Sequence, residues 1–382
     1  MKRKIYWKDI LRSFTSSKGR FLSILILMML GSLALVGLKV APPNMRRTAT
    51  DYLKEQRTMD LAVMADYGLD KADQKELEAI KGADVEFGYL TDVTVDEEAL
   101  RVFSDTKDIS SFQVTSGRLP KNEQEIALAS FWSKKYKLGQ EIHLTEKAGS
   151  RSVLKNKTYK IVGFVNSAEL WSDRNLGNAT SGSGALSAYA VVSPKAFDSD
   201  VYTIARLRYH DIEKLAPFSE SYQERLEQHQ TALDKSLEDN GAARFKRLEA
   251  DAKRTVQKGQ DKIAQAEGEL TQGKKQLEQA QSQLDQQKNQ LAAAQAASIL
   301  APAQLSQSQQ QIQEAESQLN QKKAELAQAE KDLSASKDKL ADAKANLSRL
   351  KEPAYHSYDR KSLPGGNGYH MYKNSMNSIA SI

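Results

Sequence analysis

Hydrophobic and polar positions follow three different patterns along the chain. An unbroken apolar run covers residues 21–38, short alternating segments fill residues 46–210, and a seven-residue repeat occupies roughly residues 242–350. These patterns are typical of a membrane helix, of strands mixed with helices, and of a coiled coil, respectively. The sequence therefore predicts an α+β protein with a single N-terminal transmembrane helix, a mixed α/β extracytoplasmic domain and a long helical arm.

The apolar run from Phe21 to Leu38 contains no charged residue. As a helix it is about 27 Å long, close to the ~30 Å hydrocarbon core of a bilayer. It is longer than the apolar part of a usual signal peptide, and the sequence KVAPP after it is a poor cleavage site. We therefore expect residues 21–38 to be a retained transmembrane helix, with a cleaved signal peptide as the alternative.

Residues 1–20 are strongly basic. They carry a net charge of +6, which equals the formal net charge of the whole chain, although Arg46 and Arg47 weaken the asymmetry across the apolar run. The positive-inside rule places such a segment in the cytoplasm and the rest of the chain outside the cell membrane. The apolar residues among the basic ones favour an amphipathic helix on the lipid bilayer, with Trp7 near the headgroups. An ordinary basic segment of a signal sequence is the alternative.

Residues 46–210 mix strand and helix patterns. Apolar stretches predict strands at Asp60–Met64, Asp84–Val95, Glu125–Ala129, Gln140–Thr145, Thr158–Val165, Ala188–Val192 and Thr203–Tyr209. The period of Asp84–Val95 is broken by one slip. Helical spacing covers Leu69–Ile80, and Ser130–Leu138 predicts a short helix that Gly139 ends. The segment is long enough to bury a core of its own.

Large apolar residues recur every seven positions in the part of the chain that is rich in Ala, Gln, Lys and Glu. They are Val256, Ile263, Leu270, Leu277, Leu284 and Leu291, followed by Leu305, Ile312, Leu319, Leu326, Leu333, Leu340 and Leu347. Pro302 interrupts the repeat, and the two series mirror each other about Ser298. We therefore predict an antiparallel coiled-coil hairpin in a helical arm of residues 211–351, with its tip near residues 298–303.

The second seam position of this repeat holds mainly Gly, Ala and Ser. Small residues let two helices approach closely but bury little apolar surface, so we expect the arm alone to be only moderately stable. Ile299 and Leu300, at the predicted tip, are candidates for docking an envelope protein. The alternatives are that both side chains pack inside the turn and that the arm is a spacer.

Four stretches of the α/β segment carry a resemblance to a known family. They read SGRLPKNEQEIALAS, YKLGQEIHLT, TYKIVGFVNS and ALSAYAVVSPKAF, in this order and behind a basic tail and one apolar run. Together they resemble the extracytoplasmic core domain of MacB/FtsX-like ABC transporter permeases, over residues 46–210. Coiled-coil insertions in the extracellular domain occur in Gram-positive members of that family, so the predicted arm agrees with the resemblance.

The resemblance implies a function and a partner. In the family a separate cytoplasmic ABC ATPase subunit closes on ATP, the membrane helices move, and the outer domain transmits the motion for export or cell-envelope regulation. Residues 352–382 look like the return segment toward a second membrane helix, where Tyr369 and Tyr372 would suit the membrane interface. We therefore expect the truncated N-terminal part of a permease, not transport-competent alone. The alternative is a complete single-pass surface adaptor or scaffold protein that acts through its arm.

Composition and motifs argue against several other functions. Beyond residue 20 the positive and negative charges cancel, unlike the basic face of a nucleic-acid-binding domain. The chain has no Cys, which excludes disulfides and thiol catalysis. It has no P-loop for ATP, its His residues lack metal-ligand spacing, and Ser181–Gly184 is not a nucleophile elbow. We expect no enzyme activity, no cofactor and no metal.

Overall fold

The computed structural model describes residues 2–147, 152–173, 176–182, 184–297, 301–364 and 367–380. The chain divides into two compact units. The first, which we call the α/β unit, comprises residues 1–240 and 354–382, and the second, the arm unit, comprises residues 241–353. The predicted mixture of helices and strands is confirmed.

Seven α-helices and eleven β-strands lie in the described residues. The helices are α1 (Lys2–Ser16), α2 (Lys18–Glu55), α3 (Lys71–Glu78), α4 (Glu220–Leu237), α5 (Asn240–Ala296), α6 (Pro302–Arg349) and α7 (Asn367–Ala380). The strands are β1 (Leu61–Ala65), β2 (Ala83–Gly88), β3 (Leu90–Val95), β4 (Glu98–Ser104), β5 (Gln113–Gly117), β6 (Glu125–Ala129), β7 (Glu141–His143), β8 (Thr158–Asn166), β9 (Leu186–Val192), β10 (Ile204–Tyr209) and β11 (Tyr355–Asp359). Ser130–Lys134, where a short helix is predicted, forms a 3-10 helix.

A four-stranded sheet of the described residues has the order β11-β1-β10-β2, with antiparallel neighbours throughout. One face packs against α3 and α4 through an apolar cluster that includes Leu61, Leu77, Leu207 and Leu226. The sequence places the start of the arm at residue 211. Because α4 packs on this sheet, residues up to 240 belong to the α/β unit and the arm unit begins at Gly241.

A seven-stranded sheet of the described residues has the order β3-β4-β9-β6-β8-β5, with β7 beside β8. The β4–β9 and β6–β8 pairs are parallel and the other pairs are antiparallel. A large apolar cluster, which includes Leu100, Ile126, Ile161 and Val191, forms its core. The predicted strand at Glu125–Ala129 is confirmed to the residue.

The slip in the Asp84–Val95 pattern marks a change of sheet. One strand is predicted there, whereas the structure contains two: β2 ends at Gly88 in the four-stranded sheet, and β3 begins at Leu90 in the seven-stranded sheet. The alternation restarts because the two strands turn their apolar sides toward different cores. Apolar periodicity also missed β4, β5 and β11; the β5 residues, for example, are all exposed.

Helix α2 extends well beyond the apolar run. It continues through Pro42 and Pro43 and ends at Glu55. Proline inside a helix removes a hydrogen-bond donor and weakens the helix locally. The second half is nevertheless stabilised by packing, because Pro42, Ala49 and Leu53 are buried in the α/β unit.

The arm unit consists of α5, which is 57 residues long, and α6, which is 48 residues long. The repeating apolar positions are buried or half-buried, whereas most residues between them are exposed. Ion pairs join Glu267 to Lys337, Lys274 to Glu330, and Lys288 to Glu316. The paired residues on α5 increase in number from 267 to 288, while their partners on α6 decrease from 337 to 316.

Candidate functional site: the junction of the apolar helix with the α/β unit

Helix α2 has two halves with different surroundings. Within the described residues it is the one helix long and apolar enough to cross a membrane, and the large apolar side chains of its first half are exposed. Length and composition alone would also suit a signal sequence near an N-terminus. The second half, from Pro42 onward, packs into the α/β unit. The helix therefore joins an apolar exposed segment directly to the folded unit.

Trp171 lies where this second half meets helix α7. Its ring makes edge contacts with Tyr52 of α2 at 5.9 Å between ring centres, and with Tyr369 and Tyr372 of α7 at 5.2 and 5.6 Å. Edge-to-face packing of this kind stabilises aromatic pairs beyond the area that they bury. We call these four residues the Trp171 junction. It connects two helices that lie far apart in sequence and also pack against each other.

Hydrogen bonds to backbone oxygens hold the aromatic rings of the junction. The Tyr52 hydroxyl donates to the carbonyl of Ser167 at 3.1 Å, and the Trp171 Nε1–H donates to that of Ala168 at 2.8 Å. The Tyr372 hydroxyl donates to the carbonyl of Met45 at 2.9 Å, directly across to α2. Burial raises the pKa of Tyr52 to about 12, so its hydroxyl stays a neutral donor.

A close backbone approach at Gly368 seats the first turn of α7. A Cβ atom at this position would lie 2.7 Å from the backbone nitrogen of Ser172 and 3.0 Å from the carbonyl carbon of Trp171. Neither backbone atom can move aside as a flexible side chain would. Glycine at position 368 is therefore what allows α7 to pack against the Trp171 segment.

A buried polar cluster fixes the chain just before α7. The Asp60 carboxylate accepts a hydrogen bond from the Tyr222 hydroxyl at 2.6 Å, from Arg360 Nη2 at 2.8 Å and from the Tyr209 backbone N–H at 2.8 Å. Arg360 Nε also donates to the Met59 carbonyl. These bonds join the residues just before β1, together with α4 and β10, to the segment after β11. Burial raises the pKa of Tyr222 well above its usual value.

The site residues predicted from the sequence lie elsewhere. Trp7 is on α1 and is 65% exposed. Ile299 and Leu300, at the predicted tip, lie outside the described residues. Tyr369, which the sequence places at a membrane interface, is instead buried in the α/β unit, where it stacks on Phe218.

Sequence reasoning missed Tyr52 and Trp171. Trp171 follows β8 in a stretch without periodic apolar residues, and Tyr52 lies beyond Pro42 and Pro43, where helix rules predict the end of the membrane helix. The rarity of tryptophan, with three in the chain, was the available signal. Four aromatic residues from three segments converge only in the folded structure.

Packed rings and hydrogen bonds to the backbone make up most of the Trp171 junction. The polar groups of Tyr52, Trp171 and Tyr372 are hydrogen-bonded to backbone oxygens, and the rings of the junction are packed together. Among the described residues, no group of three or more His, Asp or Glu side chains is placed to hold a metal ion. Neither a scan against models of protein families nor a search of curated proteins finds a match to this chain.

Proposed function

We propose that this chain is the membrane-anchored portion of an FtsX/MacB-like ABC transporter permease. In this role it transmits ATP-driven motion to an extracellular domain, for export or for cell-envelope regulation. The observation that carries the proposal is the continuity of α2, whose exposed apolar half runs without a break into the half held by the Trp171 junction. A continuous helix moves as one body over short distances, so a displacement of its apolar half reaches the α/β unit.

The proposed arrangement places residues 21–38 in the cell membrane of a Gram-positive bacterium. The N-terminus is cytoplasmic and the α/β and arm units are extracellular, which agrees with the basic charge of residues 1–20. Trp7 and Leu11 are exposed on α1, where they are available to insert into the inner leaflet of the bilayer. The partner in the cytoplasm is a separate ABC ATPase subunit.

The arm unit is proposed to be an antiparallel coiled-coil hairpin. This interpretation is supported by the three ion pairs between α5 and α6 and by the burial of Leu284, Leu319 and Leu333. Its tip, near residues 298–303, docks an envelope protein through Ile299 and Leu300. The arm then extends the reach of the moving domain.

Membrane topology provides the first test. Because the chain has no Cys, single cysteines can be introduced without background. On whole cells, an impermeant maleimide should label Lys137→Cys, an exposed position of the α/β unit, and should leave Lys8→Cys unlabelled until the membrane is opened. The reverse labelling pattern would contradict the proposed orientation. Labelling of both positions would contradict a membrane-spanning segment.

Coupling to ATP provides the second test. The chain is purified in mild detergent after expression with the neighbouring genes of its own genome. In this complex, where the neighbouring genes supply the ATPase and further membrane helices, ATP with vanadate should change the maleimide reactivity of Asp51→Cys, which adjoins Tyr52 on α2. The chain expressed by itself should bind the ATPase weakly or not at all. Glu141→Cys, exposed on β7, is the matched control and should not respond. A junction that is insensitive to nucleotide in the complex with the ATPase would favour a surface adaptor or scaffold instead.

A further inference from the structure

Strand β2 has one open edge in the four-stranded sheet. It pairs with β10 on one side and is the last strand in the order. The His210 N–H donates to the Gly82 carbonyl, so the backbone groups of Gly82, and of every second residue after it, face β10. The N–H and C=O groups of Val85 and Phe87 therefore point away from the sheet. Such an edge is a template for a further strand.

A groove of about 850 Å³ follows this open edge. Residues 83–87 of β2 line one side, and the segment between Ser104 and Ile109 lines the other. The Glu86 carboxylate fixes that segment, because it accepts hydrogen bonds from the backbone N–H groups of Lys107, Asp108 and Ile109 at 2.6 to 2.9 Å. These hydrogen bonds therefore fix the position of one side of the groove.

The two faces of β2 offer different surroundings to a strand added at its edge. On one face, Val85 and Phe87 pack against the apolar cluster beneath the sheet. Phe87 stacks on Tyr202 at 5.3 Å, and Tyr202 in turn contacts Tyr89 at 4.9 Å, with all three rings half-buried and lining the groove. This face is suited to apolar side chains.

The polar lining of the groove carries excess negative charge, and Asp84 and Glu86 belong to the other face of β2. The charged residues that line the groove are the acidic Glu78, Asp84, Glu86, Asp105 and Asp108 and the basic Arg57, Lys107 and Lys195, and Arg57 is already paired with Asp84. The Asp105 carboxylate accepts a hydrogen bond from the Thr106 N–H but has no cationic partner among the described residues. Its burial and the nearby Glu86 charge raise the pKa of Asp105 to about 6. A cation brought to this wall would relieve that unfavourable charge.

We propose that the β2 edge groove binds an extended cationic peptide in which basic and apolar residues alternate. The peptide backbone adds a strand beside β2, through the outward N–H and C=O groups of Val85 and Phe87. Successive side chains of a strand point to opposite faces, so its apolar residues meet Phe87 and Tyr202 while its basic residues meet Asp105. Six residues of β2 span about 20 Å, which matches about six residues of ligand. This site does not depend on the proposed role in ABC transport.

Binding is measured with the full chain in nanodiscs by fluorescence anisotropy. The probe is a labelled decapeptide of alternating lysine and valine, and the comparison peptide alternates glutamate and valine. Signal from protein-free nanodiscs is subtracted, because amphipathic peptides also bind lipid. The lysine peptide should bind and the glutamate peptide should not. Equal binding of the two peptides, or no binding above protein-free nanodiscs, would overturn the proposal.

Two variants separate the two parts of the site. Asp105→Lys should weaken binding of the lysine peptide about tenfold and allow the glutamate peptide to bind, because the charge that recognises the ligand is reversed. Val85→Pro removes an outward N–H while keeping the β2–β10 bonds, and should weaken binding of the lysine peptide by a similar factor.

Glu141→Lys, an exposed charge reversal outside the groove, is the matched control and should bind like the unaltered chain. Hydrogen exchange provides a readout that does not require a variant, since bound lysine peptide should slow exchange at the amides of residues 83–88. Unchanged affinity in both groove variants, or unchanged exchange in this segment, would show that the peptide binds elsewhere.

Discussion

Arg206 of β10 binds Glu169, which follows β8, and so joins the four-stranded sheet to the seven-stranded sheet. Its Nε and Nη2 atoms donate to the two carboxylate oxygens of Glu169, with the second bond at 3.2 Å. The Arg206 side chain is fully buried and that of Glu169 is 3% exposed. Two charges removed from water in this way are tolerated in the fold only as long as each has its partner.

Loss of one partner from this pair is expected to be costly. Glu169→Ala leaves the Arg206 guanidinium buried without a counter-charge, which destabilises a protein by about 3–5 kcal/mol. Urea unfolding of the α/β unit is followed by tryptophan fluorescence, because the arm unit contains no Trp. Glu141→Ala, at an exposed carboxylate, is the control and should change little. The double variant Arg206→Met with Glu169→Leu should recover most of the loss; if it does not, the cost arises from packing rather than from charge.

Gly368→Ala should loosen helix α7. The new Cβ would stand 2.7 Å from the Ser172 backbone nitrogen, so the start of α7 must shift away from Trp171. Overpacking of this kind costs on the order of 1–3 kcal/mol. A lower melting temperature and red-shifted tryptophan emission would show it. Gly19→Ala has no neighbouring atom within 4 Å and should neither lower the melting temperature nor red-shift the emission. Identical behaviour of the two variants would contradict the close approach.

Two glycines of α5 test its packing against α6. Gly268 has nothing near its missing Cβ, so Gly268→Ala should stabilise the helix by about 1 kcal/mol through helix propensity. A Cβ at Gly273 would lie 2.7 Å from a methyl group of Leu326, so Gly273→Ala must displace that side chain and should gain less or lose stability. Thermal melting of the helical circular dichroism compares the two. Equal gains would mean that α6 does not pack at Gly273.

The stability of the α/β unit should depend on pH through Asp105. Its folded pKa of about 6 is raised above the ordinary aspartate value of ~3.9, mainly by burial, so the folded state holds the proton more tightly. The contribution of this group to the free energy of unfolding is therefore favourable below about pH 4 and falls as the pH rises to about 6. Asp105→Asn should remove that fall, as measured by urea unfolding between pH 4 and 7.

Asp84 provides a control for this titration, because its pKa is shifted in the opposite direction. A hydrogen bond from His210 and the charge of Arg57 hold its pKa below the usual range. The ionised Asp84 carboxylate stabilises the fold fully at pH values above the ordinary aspartate pKa. This stabilisation is lost as the pH falls through the lowered pKa of Asp84 in the folded state. Asp84→Asn should therefore weaken the fold near neutral pH, whereas Asp105→Asn should not. The same direction of change in both variants would contradict the assigned environments.

Local patterns in the sequence were sufficient to predict several elements. The unbroken apolar run marks the exposed half of α2, and the strand at Glu125–Ala129 follows from its apolar residues alone. The seven-residue repeat predicts the long helices α5 and α6, whose repeating positions are the less exposed ones. These signals are readable because an element that buries one side places its apolar residues at the period of its own backbone.

Contacts between distant segments were decided only by the tertiary structure. Strand β11 pairs with β1 although the arm unit lies between them in the sequence. The sequence of β11, YHSYD, has no apolar alternation. The Trp171 junction likewise gathers Tyr52, Trp171 and Tyr369 from separate elements. Periodicity along the chain does not predict such contacts, because the energy of each contact depends on which surfaces come together in the packed fold. Tertiary packing also explains why α2 continues past Pro42 and Pro43. Burial of Ala49 and Leu53 offsets the tendency of proline to end a helix.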